Sequence, residues 1–175
     1  MLYLVECDFA DPALEADWNA FYSGDKLRTL LSVSGFISSQ RFRCIHGDGP
    51  RYLAAHSIVN EHVLDTEEYR LKGGGNFGAW QPYIKNWKRG VYSCTAKAPE
   101  VSTGQILILG TSVPLDSHLN KYTLLEALTT NVPGSSPSRW WQVINDSDWI
   151  DPDQQVGDGC VYQPITERQT SDSPF

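Results

Sequence analysis

Three residues in the first half of the chain have side chains suited to moving a proton or holding an anion: Lys26, Arg41 and His56. His56 falls in the run Arg51 to Val59, where Tyr52, Ala54, His56 and Ile58 alternate with Leu53, Ala55 and Ser57. That alternation predicts a strand with His56 on the Tyr52–Ala54 face. Imidazole titrates near neutral pH, which suits proton transfer, and the small Ala54 beside it leaves room for a ligand. A core histidine bonded to backbone or to a hydroxyl explains the same position. Lys26 sits within an interrupted aromatic helix. Buried, it would hold an anionic substrate or act as a base of depressed pKa; on a loop it would be an ordinary exposed lysine. Arg41 shares a predicted strand face with Ser39 and Arg43. It offers a bidentate grip on a carboxylate, or a structural pair with Glu6 or Asp8. Tyr22, Tyr52, Ala54, Trp80 and Trp87 complete the candidate set as walls of an apolar ligand pocket, and they serve equally as core.

Other groups carry less. Gly73-Gly74-Gly75 lacks the Lys-Ser/Thr ending and the preceding strand of a phosphate loop. It reads as a flexible break at a pocket mouth. Asp146, Asp148, Asp151 and Asp153 depart from EF-hand spacing, so a solvated acidic loop is expected. Cys7, Cys44, Cys94 and Cys160 form no CxxC pair and read as free thiols in a reducing compartment. No metal site and no cofactor are expected. The net charge of -7 disfavours nucleic acid as a partner. No apolar run reaches the ~18 residues of a membrane span. Glu6 and Asp8 follow Met1 to Val5 without a basic segment, so no secretory leader and a cytoplasmic location are expected.

The elements that would position these residues can be read in order. Leu2 to Cys7 is an apolar strand. Asp11-Pro12 opens a helix with Leu14, Trp18, Phe21 and Tyr22 on one face. Ser23-Gly24 interrupts it, predicting a kink or local unwinding, and Leu27, Leu30 and Leu31 resume the stripe. Gly35 turns the chain into a strand over Phe36 to Ile45. His46 to Pro50 is a turn cluster, followed by the His56 strand. Asn60 to Leu71 reads as helix, and Phe77, Trp80, Ile84 and Trp87 as the stripe of a second helical piece. Val91 to Ala96 is a fourth strand. The order β-α-β-β-α-β predicts an α+β, ferredoxin-like antiparallel sheet with helices on one face.

Residues 98–104 are a linker by composition. The remainder reads as a partial second copy. Gln105 to Gly110 is a strand and Leu115 to Leu128 a helical stretch. Val132-Pro133-Gly134 echoes Val33-Ser34-Gly35, Arg139-Trp140 echoes Arg41-Phe42, and Gly157-Asp158-Gly159 echoes Gly47-Asp48-Gly49. The expected division is a first domain over 1–97, the linker 98–104, a partial repeat over 105–168 and a tail over 169–175. A strand-rich extension without common ancestry is the alternative.

The opening strand, the helix with Trp18 and Phe21-Tyr22, the Leu-Leu-x-Val-x-Gly-Phe turn and the Gln-Arg-Phe strand resemble the dimeric α/β-barrel superfamily. Tyr52-Leu53-Ala54 and the Trp80–Trp87 segment resemble its EthD-like and stress-responsive relatives. The resemblance covers about Met1 to Ala96. It implies a four-stranded sheet that pairs into a barrel, commonly across a homodimer, although the second repeat offers closure within the chain. Its members include cofactor-free monooxygenases, haem enzymes, lyases, isomerases and cyclases. Many relatives carry Glu-His-Leu where this chain has Asp25-Lys26-Leu27. Two kinds of function follow: a cofactor-free enzyme acting on a small apolar or aromatic metabolite, with His56 moving the proton and Arg41 or Lys26 polarising an oxygen, or a ligand-binding or structural homodimeric barrel without catalysis.

Overall fold

A computed structural model describes residues 1–94, 98–112, 123–130, 138–149 and 158–172. The first half runs β1 (Leu2–Phe9), α1 (Glu15–Phe21), a π-helical turn (Tyr22–Lys26), α2 (Leu27–Leu31), β2 (Phe36–His46), β3 (Tyr52–Ile58), α3 (Glu67–Leu71) and β4 (Ile84–Ser93). The second half supplies β5 (Gln105–Gly110), β6 (Thr123–Thr130), β7 (Ser138–Asn145), β8 (Cys160–Pro164) and the short β9 (Gln169–Thr170).

Every pairing is antiparallel. The neighbours run β2-β3-β1-β4-β6-β7-β5-β8, and β8 returns to β2. Eight strands therefore close a barrel within one chain. β9 adds to the same edge of β2, beyond β8, through Ser38–Thr170 and Ser39–Gln169. Closure removes the exposed edges that an open sheet leaves to aggregation.

Strand alternation explains the layers. Leu2 and Leu4 of β1, Phe42 of β2 and Leu53 and Ala55 of β3 face the barrel interior. There they meet Leu107, Leu109, Leu125, Trp141 and Tyr162 from the second half. The intervening residues Tyr3, Val5 and Cys7, with Tyr52, Ala54 and Ile58, face outward under the helices. Trp18, Tyr22, Leu27 and Leu30 cover them. A smaller cluster of Ile106, Ile108, Trp140 and Val161 lies on the outer side of the second half. β1 and β3 are thus buried on both faces, whereas β2 and β4 each carry exposed positions, and each large side chain so buried contributes roughly 2–3 kcal/mol. The open sheet face from which a homodimer was expected is covered by the chain's own second half.

Several expectations need correction. Ile84 and Trp87, read as helical, lie in β4. Only Gly78–Tyr83 is helical there, as a 3-10 turn, and Ile84 pairs with Phe9 across β1. The i, i+4, i+7 spacing of Trp80, Ile84 and Trp87 fits a helix, but the free edge of β1 takes the chain as strand. The predicted helix over Leu115 to Leu128 is likewise replaced, in its described part, by β6. Leu125 points inward while Leu124 and Leu128 are exposed. The edges of β4 and β7 override local helix propensity. The remainder of that stretch, the Val132–Gly134 turn, Gly157 and Asp151 and Asp153 lie outside the described residues. The proposed match of Arg139 to Arg41 does not reflect repeated packing. Arg139 faces the barrel interior and Arg41 the helices. Two local readings hold: the helix changes type across Gly24, and Gly35 takes a positive φ of 94°.

Candidate functional site

The π turn places the first candidate. It carries one residue more than an α turn, so the apolar stripe shifts and both Tyr22 and Lys26 become buried. Lys26 is therefore no exposed loop lysine. Its Nζ donates to the backbone carbonyls of Gly73 and Asn76, the latter at 2.7 Å. Burial lowers its pKa to about 8. The Gly73–Gly75 loop follows a course that side chains would obstruct. Gly73 and Gly75 have φ of 75° and 74°, and a Cβ on Gly74 would come within 2.3 Å of the Tyr69 ring. The triple glycine is needed for this close passage.

Under that loop lies a cavity of about 20 Å³ lined by Tyr3, Tyr22, Lys26, His56, Tyr69 and Trp87, among others. Its volume accommodates one water-sized molecule. Gly75 and Asn76 form part of its wall. The cavity sits between the outer face of the first sheet and the helical layer, outside the barrel.

His56 is fully buried. Its ring stacks on Tyr3 at 5.5 Å between centroids and meets Phe36 edge-on at 5.6 Å. Nδ1 is 2.7 Å from Ser39 Oγ, while Nε2 has no hydrogen-bond partner among the described residues. With Nδ1–H donating to Ser39, Nε2 presents a lone pair. Desolvation, and secondly the Lys26 cation, lower the His56 pKa to about 3. The ring is therefore neutral at physiological pH. Tyr3 and Tyr69 share a hydroxyl–hydroxyl hydrogen bond of 3.0 Å above it. The indole Nε1 of Trp87 is also without a partner among the described residues.

Arg41 stands behind Tyr22, outside the cavity lining. Its guanidinium lies 4.2 Å from the Tyr22 ring centroid, 4.9 Å from Trp18 and 5.5 Å from Tyr52. It donates to Asn19 Oδ1, the Asn19 carbonyl and Ser23 Oγ. Among the described residues no carboxylate pairs with it. Glu6 instead takes Arg139, at 2.7 and 3.2 Å, and Asp8 accepts from the Arg51 backbone and from Asn86. Desolvation lowers the Arg41 pKa to about 10, so it stays charged.

The structure thus unites His56, Lys26, Tyr22 and Trp87 and leaves the other candidates aside. Tyr52 turns to Glu15 and Asn19. Ala54 packs in the core beneath the helices, and Trp80 packs against Phe9 and Phe21. Tyr3, Tyr69, Asn76 and Phe77 were missed. Tyr3 was legible in principle, since it lies opposite His56 in the β1–β3 register.

Fold and site define a closed antiparallel barrel with a histidine–lysine cavity on its helix-covered side. No protein-family model and no curated protein matches the sequence. The fold matches solved structures. One is an anthrone oxidase-like protein, at TM-score 0.65 and 11% identity over 99% of this chain and 94% of that one. Another is a proposed monooxygenase of Fusobacterium nucleatum subsp. nucleatum, at TM-score 0.62 and 9% identity over 97% and 95%. At such identities the likeness establishes the barrel fold.

Proposed function

We propose that this chain is a member of the dimeric α/β-barrel superfamily, related to its EthD-like branch, and a cofactor-free enzyme acting on a small apolar or aromatic metabolite. In this reading residues 1–97 are a ferredoxin-like domain, joined by 98–104 to a partial repeat over 105–168 and a tail over 169–175. The observation that carries the reading is the Nε2 of a fully buried His56, without a partner among the described residues and lining a cavity beside the Lys26 ammonium.

The chemistry follows from the electrostatics. A buried imidazole next to a cation accepts a proton only if the substrate becomes an anion in the same place. A substrate with an acidic O–H or C–H meets that condition. His56 takes the proton, and Lys26, with the Tyr3–Tyr69 hydroxyl pair, stabilises the anion left behind. The names of the similar structures favour oxidation of that electron-rich anion by dioxygen, which accepts its electrons, ahead of lyase or isomerase chemistry. An aromatic ring exceeds the present cavity, so the substrate enters by displacing the Gly73–Asn76 loop that Lys26 holds. Arg41 supports Tyr22 from behind.

The test is oxygen uptake against a panel of aromatic hydroxy compounds, with product analysis. The His56→Ala variant is expected to lose about 100-fold or more in kcat/KM; full activity in that variant removes the proposal. The alternative is a non-catalytic ligand-binding barrel, favoured by the small volume of the cavity. Thermal stabilisation by the same compounds without turnover would support it. A homodimer belongs to the same family reading. It would have to form on the outside of the barrel, and sedimentation decides it: the mass of two chains supports the dimer and the mass of one removes it.

A further inference from the structure

Far from the cavity, where β2 meets β8, two cysteines occupy the same side of the barrel wall. Cys44 of β2 and Cys160 of β8 both belong to the interior cluster, Cys160 as a buried member and Cys44 packed against it. The register places Cys44 opposite Tyr162, then slips so that His46 is opposite Val161. Cys160 lies two residues along β8 from Tyr162, so the two cysteines are diagonal neighbours across the seam, and both thiols border Gly47: Cys44 Sγ is 3.8 Å from its carbonyl oxygen, and a Cβ on it would come within 3.3 Å of Cys160 Sγ. The surroundings distinguish them. The Gly49 backbone N–H donates to Cys160 Sγ at 3.1 Å. Cys44 Sγ lies 3.2 Å from the His46 carbonyl oxygen, so its single S–H is shared between that carbonyl and Cys160 Sγ. The turn above them is built around the sulfur: a Cβ on Gly49 would come within 2.3 Å of Cys160 Sγ. An N–H donor and a neighbouring thiol both favour a thiolate on Cys160, whose pKa is lowered to about 7 with the Cys44 hydrogen bond as the largest cause.

We propose that Cys160 and Cys44 form a peroxide-reactive dithiol, in which Cys160 is oxidised first and Cys44 resolves it as a disulfide across the β2–β8 seam. The oxidant is a hydroperoxide, organic or hydrogen peroxide. The Cys160 thiolate attacks the terminal oxygen, an S–O bond forms as O–O breaks, and the alcohol or water leaves with the proton. Cys44 sulfur then attacks the sulfenic sulfur, S–S forms as S–O breaks, and water leaves. Overall, two thiols and one hydroperoxide give one disulfide, one alcohol or water, and one further water. A thiol reductant reverses the linkage, consistent with a reducing compartment.

The experiment uses the full reduced chain exposed to stoichiometric hydrogen peroxide, followed by alkylation under denaturing conditions and peptide mapping. The expected product is a Cys44–Cys160 linked peptide, two hydrogens lighter than the reduced pair, with Cys7 and Cys94 alkylated. In the Cys44→Ser variant oxidation stops at a Cys160 sulfenic acid that a cyclic dione captures. Alkylatable Cys44 and Cys160 after peroxide treatment of the wild-type chain, or reaction confined to Cys94, would overturn the proposal.

Discussion

The two faces of the first sheet bury charge in opposite ways. On the interior face Glu6 meets Arg139 in a two-bond pair, and Gln40 is closed by the Val101 backbone at 2.8 and 3.1 Å. On the outer face Lys26 and Arg41 are buried without a carboxylate among the described residues, and His56 has one nitrogen unpartnered. The strands are the same, so backbone geometry does not explain the contrast. An interior whose charges are paired is a structural solution, even with Ser57 Oγ and Arg139 Nε lacking a partner among the described residues. A face with unmatched cations and a neutral imidazole retains capacity for an anion and a proton, and perturbed titratable groups of this kind concentrate at functional sites.

The largest effect should come from breaking the matched side. Glu6→Gln leaves Arg139 charged inside the barrel, which costs about 3–5 kcal/mol in urea unfolding. Replacing both partners by leucine should recover most of that loss. If the single and double variants are equally destabilised, the pair is not what holds this charge.

At neutral pH a smaller effect is expected at His56, and it grows as pH falls. Its folded pKa of about 3 lies below the value of 6.5 for the unfolded chain. Between these values the unfolded state binds the proton and the native state does not. The stability contribution is complete above pH 6.5 and falls as pH drops towards 3, by about 1 kcal/mol per unit. His56→Gln should remove this slope. Parallel pH–stability curves for the two proteins would show that His56 is not desolvated as described.

The smallest change is expected for Arg41→Met. The variant loses stacking on three aromatic rings and the bonds to Asn19 and Ser23, but also removes a desolvated charge that has no counter-ion among the described residues. These offset, leaving a shift within about 1 kcal/mol. A loss as large as that of Glu6→Gln would erase the distinction between the two faces.

Much of this face was legible before the structure. Alternation in Tyr52–Ile58 separates His56 from Ser57 correctly, and Ser23-Gly24 marks the change of helix type that buries Lys26. The remainder depended on contacts distant in sequence. Trp87 carries a helical spacing, and only the free edge of β1 makes it strand. Tyr3 reads as core until β1 and β3 are placed in register. Arg41 and Arg139 look equivalent in the sequence. Their opposite orientations emerge only when Glu6 is seen to belong to Arg139. The burial of Lys26 requires the carbonyls of Gly73 and Asn76, which no local pattern announces.

Ring closure has a consequence for synthesis. Phe42 pairs with Pro164, a separation of 164 − 42 = 122 residues. On the ribosome the first four strands can assemble early, because their pairings with one another lie within residues 2–92. The last seam must wait until Cys160–Pro164 has emerged. Until then Leu2, Leu4, Phe42, Leu53 and Ala55 face solvent as one apolar surface. Such a chain has a slow final step and a nascent form in need of protection from its neighbours.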